Sequence, residues 1–129
     1  MTDKKTVQPG KPYSGGIKAG NQIFISGQVA TDDEGNPIGE TVGEQTRIVL
    51  EKIKTILDEF GAHLSDLVRC TVYLPNVDAY QELNKAYIAF FEENGISDGF
   101  PTRAAVPTRE LPNPKWLVEI DGIAVVFDE

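Results

Sequence analysis

The chain has 129 residues, 40% hydrophobic and 25% charged, which suits one globular domain over residues 1–129 and leaves little room for a second. Twelve Lys and Arg against twenty Asp and Glu give a formal net charge of -8, which disfavours nucleic acid as a partner because sequence-independent binding needs a basic surface. The sequence shows no secretory signal, no apolar run of the ~20 residues that cross a bilayer, and a single cysteine. These features predict a cytoplasmic protein without a membrane partner.

The first half of the chain predicts a hairpin followed by a helix. Residues 1–12 lack a periodic pattern and are expected to be irregular, whereas residues 16–18 and 22–28 are typical of two strands joined by a tight turn. Thr41 and Glu44 have the spacing of a capping box, and apolar residues then recur at helical spacing until Gly61, which is expected to end the helix.

The second half predicts strand, helix, strand and strand. A strand is expected over residues 67–74, and a helix follows from a cap at Asp78 to about Asn94. The apolar stripe of this helix is predicted to contain Tyr80, Leu83, Tyr87, Phe90 and Phe91. A short strand is expected over residues 102–106, and a longer one over residues 115–127. Gly122 is expected to form a bulge or bend in the longer strand.

This order of elements, ββ-α-β-α-ββ, predicts an α+β fold with both helices on one face of a single sheet. The other face of the sheet then needs a cover. In so small a chain a second copy is the simplest cover, so the pattern predicts a homo-oligomer without fixing the number of subunits.

The motifs of nucleotide, metal and nucleophile chemistry are absent from the sequence. It contains neither a glycine-rich phosphate loop nor a His-Glu-x-x-His motif, and one His with one Cys cannot form a common zinc site. His63 is expected to be a solvated loop residue, and Cys70 a small buried hydrophobe.

Two charged residues lie in strands that are otherwise apolar. Burial of a charged side chain costs free energy unless the group is paired or hydrogen-bonded. Arg103 lies among small residues, and Glu119 alternates with Val118 and Ile120. One interpretation is a structural ion pair, or two solvated positions. The other is functional, with arginine binding a carboxylate through its planar fork and glutamate acting as a base. The residues alone leave both interpretations open.

Five short segments, taken in order and spacing, resemble the RidA/YjgF family, also known as the L-PSP endoribonuclease or translation inhibitor family. These segments are Pro12-Tyr13-Ser14, Ile25-Ser26-Gly27-Gln28, residues 84–91, residues 100–106 and residues 118–124. The resemblance covers nearly the whole chain. It implies a chorismate-mutase-like fold with a single mixed sheet, assembled as a homotrimer with three clefts between subunits.

The resemblance also implies a reaction, the hydrolysis of 2-imino or enamine acids to 2-keto acids and ammonia without a cofactor or metal. Arg103 would clamp the substrate carboxylate, and Glu119 would position a water or a proton. The residues expected to line the cleft are Tyr13, Ser26, Gly27, Asn84 and Ala105, with Gly27 and Ala105 acting through backbone groups.

Departures from the family pattern leave the substrate open. Lys11, Gly15-Gly16, Ala105 and residues 107–109 differ from what many relatives carry at these positions. Alternatives are therefore a dedicated catabolic deaminase of the aminoacrylate or aminomuconate type, and a non-catalytic module or chaperone that binds small carboxylates. The net charge of -8 and the lack of a basic or aromatic platform disfavour a ribonuclease.

Overall fold

The computed structural model describes residues 4–127, which form six strands and two α-helices. The strands are β1 (Lys4–Val7), β2 (Gly16–Ala19), β3 (Gln22–Gln28), β4 (Leu67–Leu74), β5 (Thr102–Pro107) and β6 (Glu119–Val125). The helices are α1 (Val42–Glu59) and α2 (Tyr80–Glu93), with single turns of 3-10 helix at Leu64–Asp66 and Val77–Ala79. Neither helix within residues 4–127 is long and apolar enough to span a membrane.

The six strands form one mixed sheet in the order β1-β2-β3-β6-β4-β5. All neighbouring pairs are antiparallel except β4 and β5, which are parallel because α2 carries the chain back between them. Both helices pack on the same face of the sheet, so the predicted α+β class is confirmed. Inward-facing strand residues alternate with residues on the opposite, uncovered face.

The core lies between the two helices and the covered face of the sheet. It is built from aliphatic residues of the strands and α1 and from the aromatic stripe of α2. Fully buried members include Ile23, Leu50, Ile53, Leu57, Val72, Leu83, Phe90, Phe91 and Ile120. This core fixes the two sheet faces, and with them the direction in which each site residue points.

The ends of α1 follow local sequence chemistry. The Thr41 side chain accepts a hydrogen bond from the Glu44 backbone N–H at 3.1 Å, as predicted. The Glu44 carboxylate accepts from the Glu40 N–H, one residue earlier than a capping box requires. Gly61 adopts a φ of 72°, and the N–H groups of Gly61 and Ala62 close the last turn in a Schellman motif.

Three boundary predictions are wrong for identifiable reasons. Residues 4–7 form a strand, but it is a short exposed edge strand with two lysines and no alternating pattern. Asn76, not Asp78, caps the turn before α2 by accepting the Asp78 N–H. The last strand begins only at Glu119, because the Leu117 N–H donates to the Gln45 side chain and not to a neighbouring strand.

Gly122 is not a bulge. It pairs in register with Ile25 on one side and with Cys70 on the other. A Cβ at this position would lie 2.9 Å from the Leu67 Cδ1, so glycine permits the close approach of Leu67 to the sheet. The irregularities in the ladders lie instead between Ile25 and Gln28 in β3, and between Leu67 and Arg69 in β4.

The face of the sheet that the helices leave uncovered carries an apolar row. Ile17, Phe24 and Ile123 pair across β2, β3 and β6, and 43% of Phe24 is exposed. Large exposed apolar patches of this kind are typical of interaction surfaces. The predicted need for a cover on this face therefore persists in the folded chain.

Candidate active site

Glu119 opens β6 on the uncovered face of the sheet. Its neighbours Val118 and Ile120 are fully buried in the core, so alternation turns the carboxylate to the other side. Burial raises the pKa of Glu119, and the negative charge of Asp121 on the same face raises it further. Both effects make this carboxyl group harder to ionise than an isolated one.

A bulge in β3 brings the backbone against this carboxylate. The register shifts between Ile25 and Gln28, which sets Ser26 and Gly27 in the extra length of the strand. A Cβ on Gly27 would lie only 2.0 Å from the Glu119 Oε2, so no residue but glycine fits beside the carboxylate as it stands. The predicted neighbours Gly27 and Glu119 therefore do lie together.

Ser26 ties a loop to the same bulge. Its hydroxyl donates to the Ser14 carbonyl at 2.6 Å, and the Gly15 carbonyl accepts the Ser26 N–H. Tyr13 precedes this anchor, with its side chain 53% exposed. The loop of Tyr13 is thus held at the edge of the Glu119 region, while the Tyr13 ring itself remains accessible.

Arg103 lies on the other face of the sheet, beneath α2. It pairs with the fully buried Cys70 in the parallel ladder, and its guanidinium lies 4.8 Å from the centre of the Tyr87 ring. Its Nη2 donates to the Tyr80 hydroxyl at 3.0 Å. Within residues 4–127 Arg103 forms no ion pair, so the interpretation of Arg103 and Glu119 as an ion pair within one chain is wrong.

Tyr80 is the residue that sequence analysis missed. Helical spacing places Tyr80 in the apolar stripe of α2, yet its side chain is 41% exposed and accepts a hydrogen bond from Arg103. Hydrogen bonding from Asn84, and then the positive charge of Arg103, lower the pKa of the Tyr80 phenol. The spacing of Tyr80, Asn84 and Tyr87 on one helical face was the available signal for a polar and aromatic cradle around an arginine.

Cys70 pairs with Arg103 in the ladder between β4 and β5, and its thiol is unreactive. Burial, and then the charge of Asp121, raise the pKa of the Cys70 thiol to about 12. A thiol with so high a pKa holds its proton at neutral pH. The prediction of Cys70 as a small buried hydrophobe is therefore confirmed, and a thiolate nucleophile is excluded at this position.

A cavity of about 460 Å³ opens beside Arg103 at the end of β5. Its walls are formed by Leu74, Val77, Tyr80, Ala105 and Pro107. Another groove, of about 540 Å³, runs along α1 and contains none of the predicted site residues. Of the predicted site residues, Ala105 lines the cavity at β5, and Arg103 adjoins the cavity through its hydrogen bond to Tyr80.

The sheet separates the predicted residues into two groups. Glu119 pairs with Tyr73, and Tyr73 pairs with Val106, so these three side chains share the uncovered face. Arg103 precedes Val106 by three residues and points to the opposite face. The predicted residues Arg103, Asn84 and Ala105 thus form one candidate half-site, and Glu119, Gly27 and Ser26 form the other. One chain does not bring the two candidate half-sites together.

The sequence matches the endoribonuclease L-PSP family over residues 3–126. The chain belongs to this family. A RutC family protein of Pyrococcus abyssi is 40% identical over 94% of this chain and 91% of its own length. The 2-iminobutanoate/2-iminopropanoate deaminase of Salmonella typhimurium is 33% identical over 88% of this chain and 87% of its own.

The family also supplies solved structures with the same fold. The crystal structure of Escherichia coli TdcF with bound serine is 30% identical, has a TM-score of 0.84, and covers 95% of this chain and 94% of that chain. The RidA/YjgF resemblance drawn from the five segments is thereby confirmed. So is the single mixed sheet with two helices on one face.

Replacement of Tyr80 by phenylalanine is expected to raise the KM for a carboxylate substrate a few-fold, with kcat nearly unchanged. The variant keeps the ring beside Arg103 but removes the hydroxyl that orients Nη2. Steady-state kinetics would separate the two constants, and Thr55→Val removes a hydroxyl at an exposed position on α1, away from Arg103 and Glu119, as a control. A fall in kcat with constant KM would contradict this positioning role.

Proposed function

We propose that this protein is a deaminase that hydrolyses 2-imino acids, and their enamine tautomers, to 2-keto acids and ammonia in clefts between the subunits of a homotrimer. A relative 33% identical to it carries the name 2-iminobutanoate/2-iminopropanoate deaminase, and TdcF of the same fold binds serine, a small amino acid. Both relatives therefore direct attention to small molecules with a carboxylate beside a nitrogen-bearing carbon.

The unpaired guanidinium of Arg103 is the observation that carries the proposal. It is partly buried under α2, one of its nitrogens is held by Tyr80, and no carboxylate in residues 4–127 neutralises it. Since no opposite charge lies beside this half-buried cation, an anion that binds there gains an electrostatic attraction that water screens only in part. A planar guanidinium binds a carboxylate through two parallel hydrogen bonds, and this geometry fixes the orientation of the substrate.

Glu119 supplies the chemistry at the other end of the substrate. The carboxylate accepts a proton from a water as the water oxygen bonds to the imine carbon, and the C=N π electrons pass to nitrogen. Glu119 then donates this proton to the carbinolamine nitrogen. The C–N bond breaks and ammonia leaves, while the hydroxyl oxygen forms the C=O bond and its proton passes to the carboxylate. No cofactor is required, because the carbon of a protonated imine is already electrophilic.

The two half-sites must come from different subunits for this reaction to occur. Arg103 and Glu119 point to opposite faces of one sheet, while the Ile17, Phe24 and Ile123 row leaves an apolar face to be covered. A ring of copies would cover that face and set the Glu119 half of one chain against the Arg103 half of the next. A ring of three would contain three complete clefts.

Subunit complementation tests the proposal. Arg103→Ala and Glu119→Gln variants, each inactive alone, would be unfolded together, refolded as a mixture, and assayed with a dehydratase that releases 2-imino acids from serine or threonine. In random rings, about a quarter of the clefts combine an intact Arg103 with an intact Glu119. The mixture should therefore recover about a quarter of the wild-type rate.

Two results would contradict the proposal. If the wild-type protein does not accelerate the loss of the imine, it is not a deaminase, and Arg103-dependent binding of a 2-keto acid would then favour the non-catalytic binding module. If wild type is active but the refolded mixture is not, the cleft does not join two chains. Wild type carried through the same refolding is the control.

A further inference from the structure

The cavity beside Arg103 is lined almost entirely by apolar residues. Four of its five lining residues are apolar: Leu74, Val77, Ala105 and Pro107. The fifth, Tyr80, already uses its hydroxyl to accept a hydrogen bond from Arg103. The cavity walls formed by this chain thus offer van der Waals contact to a ligand but carry no charged side chain.

The cavity and the guanidinium are contiguous. Arg103 and Ala105 both face α2, since they pair with the buried Cys70 and Val72, and they are separated by about 6.6 Å along the strand. Tyr80 borders both, because its hydroxyl contacts Arg103 and its ring lines the cavity. A carboxylate held by Arg103 would therefore place the carbons that follow it near the space above Ala105.

We propose that this cavity receives the substrate's side chain and that the protein prefers 2-imino acids with apolar side chains of three or four carbons over 2-iminopropanoate. This inference rests on the proposed function. Ala105 is decisive because a methyl group leaves the space above the strand open, whereas a larger residue would fill it. A charged substrate side chain would lose hydration there without gaining an opposite charge from these walls.

Binding of 2-keto acids tests the inference without requiring turnover. Calorimetric Kd values would be compared for pyruvate, 2-oxobutanoate, 2-oxopentanoate, 4-methyl-2-oxopentanoate and 2-oxoglutarate. Burial of each added methylene should lower Kd about threefold to fourfold. 2-Oxoglutarate, which adds a second carboxylate to a chain of similar length, should bind more weakly than 2-oxopentanoate.

Ala105→Leu should remove the preference. Its added side chain occupies the cavity, so the ratio of the pyruvate Kd to the 2-oxopentanoate Kd should fall toward one or below. Val77→Asn places an amide in the same wall and should weaken the long-chain acids selectively. Gln81→Leu adds the same apolar bulk at an exposed position outside the cavity and should keep the wild-type ratio.

The outcomes separate this inference from the proposed function. A flat Kd series, or an equal effect of Ala105→Leu on every acid, would overturn the inference and would indicate that a neighbouring subunit fills the cavity. Imine hydrolysis with a flat series would still support the deaminase. The expected Kd series in a protein that hydrolyses no imino acid would uphold the apolar subsite and refute the deaminase.

Discussion

Replacement of Arg103 by alanine is expected to lower kcat/KM for 2-imino acids by at least about a hundredfold. Two hydrogen bonds to a charged group are lost, and each contributes about 1.5–3 kcal/mol in a site of this kind. Arg103→Lys should recover only part of the loss, because an ammonium keeps the charge but lacks the planar fork. The dehydratase-coupled assay of imine loss measures both variants.

Arg109→Ala is the matched control for this experiment. Arg109 is exposed in the loop after β5 and lines neither half-site nor the cavity, so its removal leaves kcat/KM within about twofold. Equal acceleration of imine loss by wild type and Arg103→Ala would refute the role of Arg103 as carboxylate anchor. Circular dichroism and sedimentation of each variant would verify that fold and assembly are retained.

Glu119→Gln is expected to lower kcat by a factor of about 10² to 10⁴, the usual contribution of a positioned general base, with little change in KM. The pH dependence should follow the raised pKa of Glu119. Because the ionised carboxylate is the active form, kcat falls as pH drops through that pKa, and this acid limb lies above the usual carboxyl value of about 4.3. The limb should disappear in the glutamine variant.

Glu119→Gln should lower activity but should not lower the free energy of unfolding at neutral pH. A carboxyl whose pKa is raised by folding favours its protonated form, so wild-type stability declines as pH rises from the unfolded pKa through the folded one. Glutamine carries no charge and avoids this loss. Urea unfolding at neutral pH should therefore find Glu119→Gln at least as stable as wild type, and a large destabilisation would mark Glu119 as a structural residue.

Gly27→Ala tests the same carboxylate without removing it. The new Cβ would lie 2.0 Å from the Oε2 and 2.9 Å from the Cδ of Glu119, so the whole carboxylate must move. kcat should fall although the ionisable group remains. Glu51→Gln, at an exposed position on α1, is the control for the negative charge that Glu119→Gln removes. A fully active Gly27→Ala would contradict the proposal that the reaction depends on the Glu119 carboxylate in its position beside Gly27.

The elements that the sequence predicts correctly depend on residues that lie close together along the chain. The α1 cap at Thr41, the stop at Gly61 and the bounds of β4 depend on residues within a few positions of each other, and the structure confirms all three. Strand β1 escaped prediction because a short charged edge strand carries no periodic signal of its own. These residues form a strand only because they pair with β2.

The candidate site could be predicted as a set of residues but not as an arrangement. Alternation within one strand shows which neighbours of Glu119 or Arg103 share a face, but not how two separate strands align. That relation depends on β4, which pairs in parallel with β5 and antiparallel with β6. Tyr80 was misassigned for a similar reason, since helical spacing cannot show that the first turn of α2 extends past the core.

The two half-sites also differ in how the chain encodes them. Everything around Arg103, including Tyr80, Asn84 and the cavity, comes from the continuous run β4–α2–β5. Glu119 and Gly27 come from β6 and β3, which are distant in sequence and joined only by their ladder. Under the proposed function, substitutions within the single segment β4–α2–β5 can change which acid is bound, while Glu119 and Gly27 stay on strands that such substitutions do not touch.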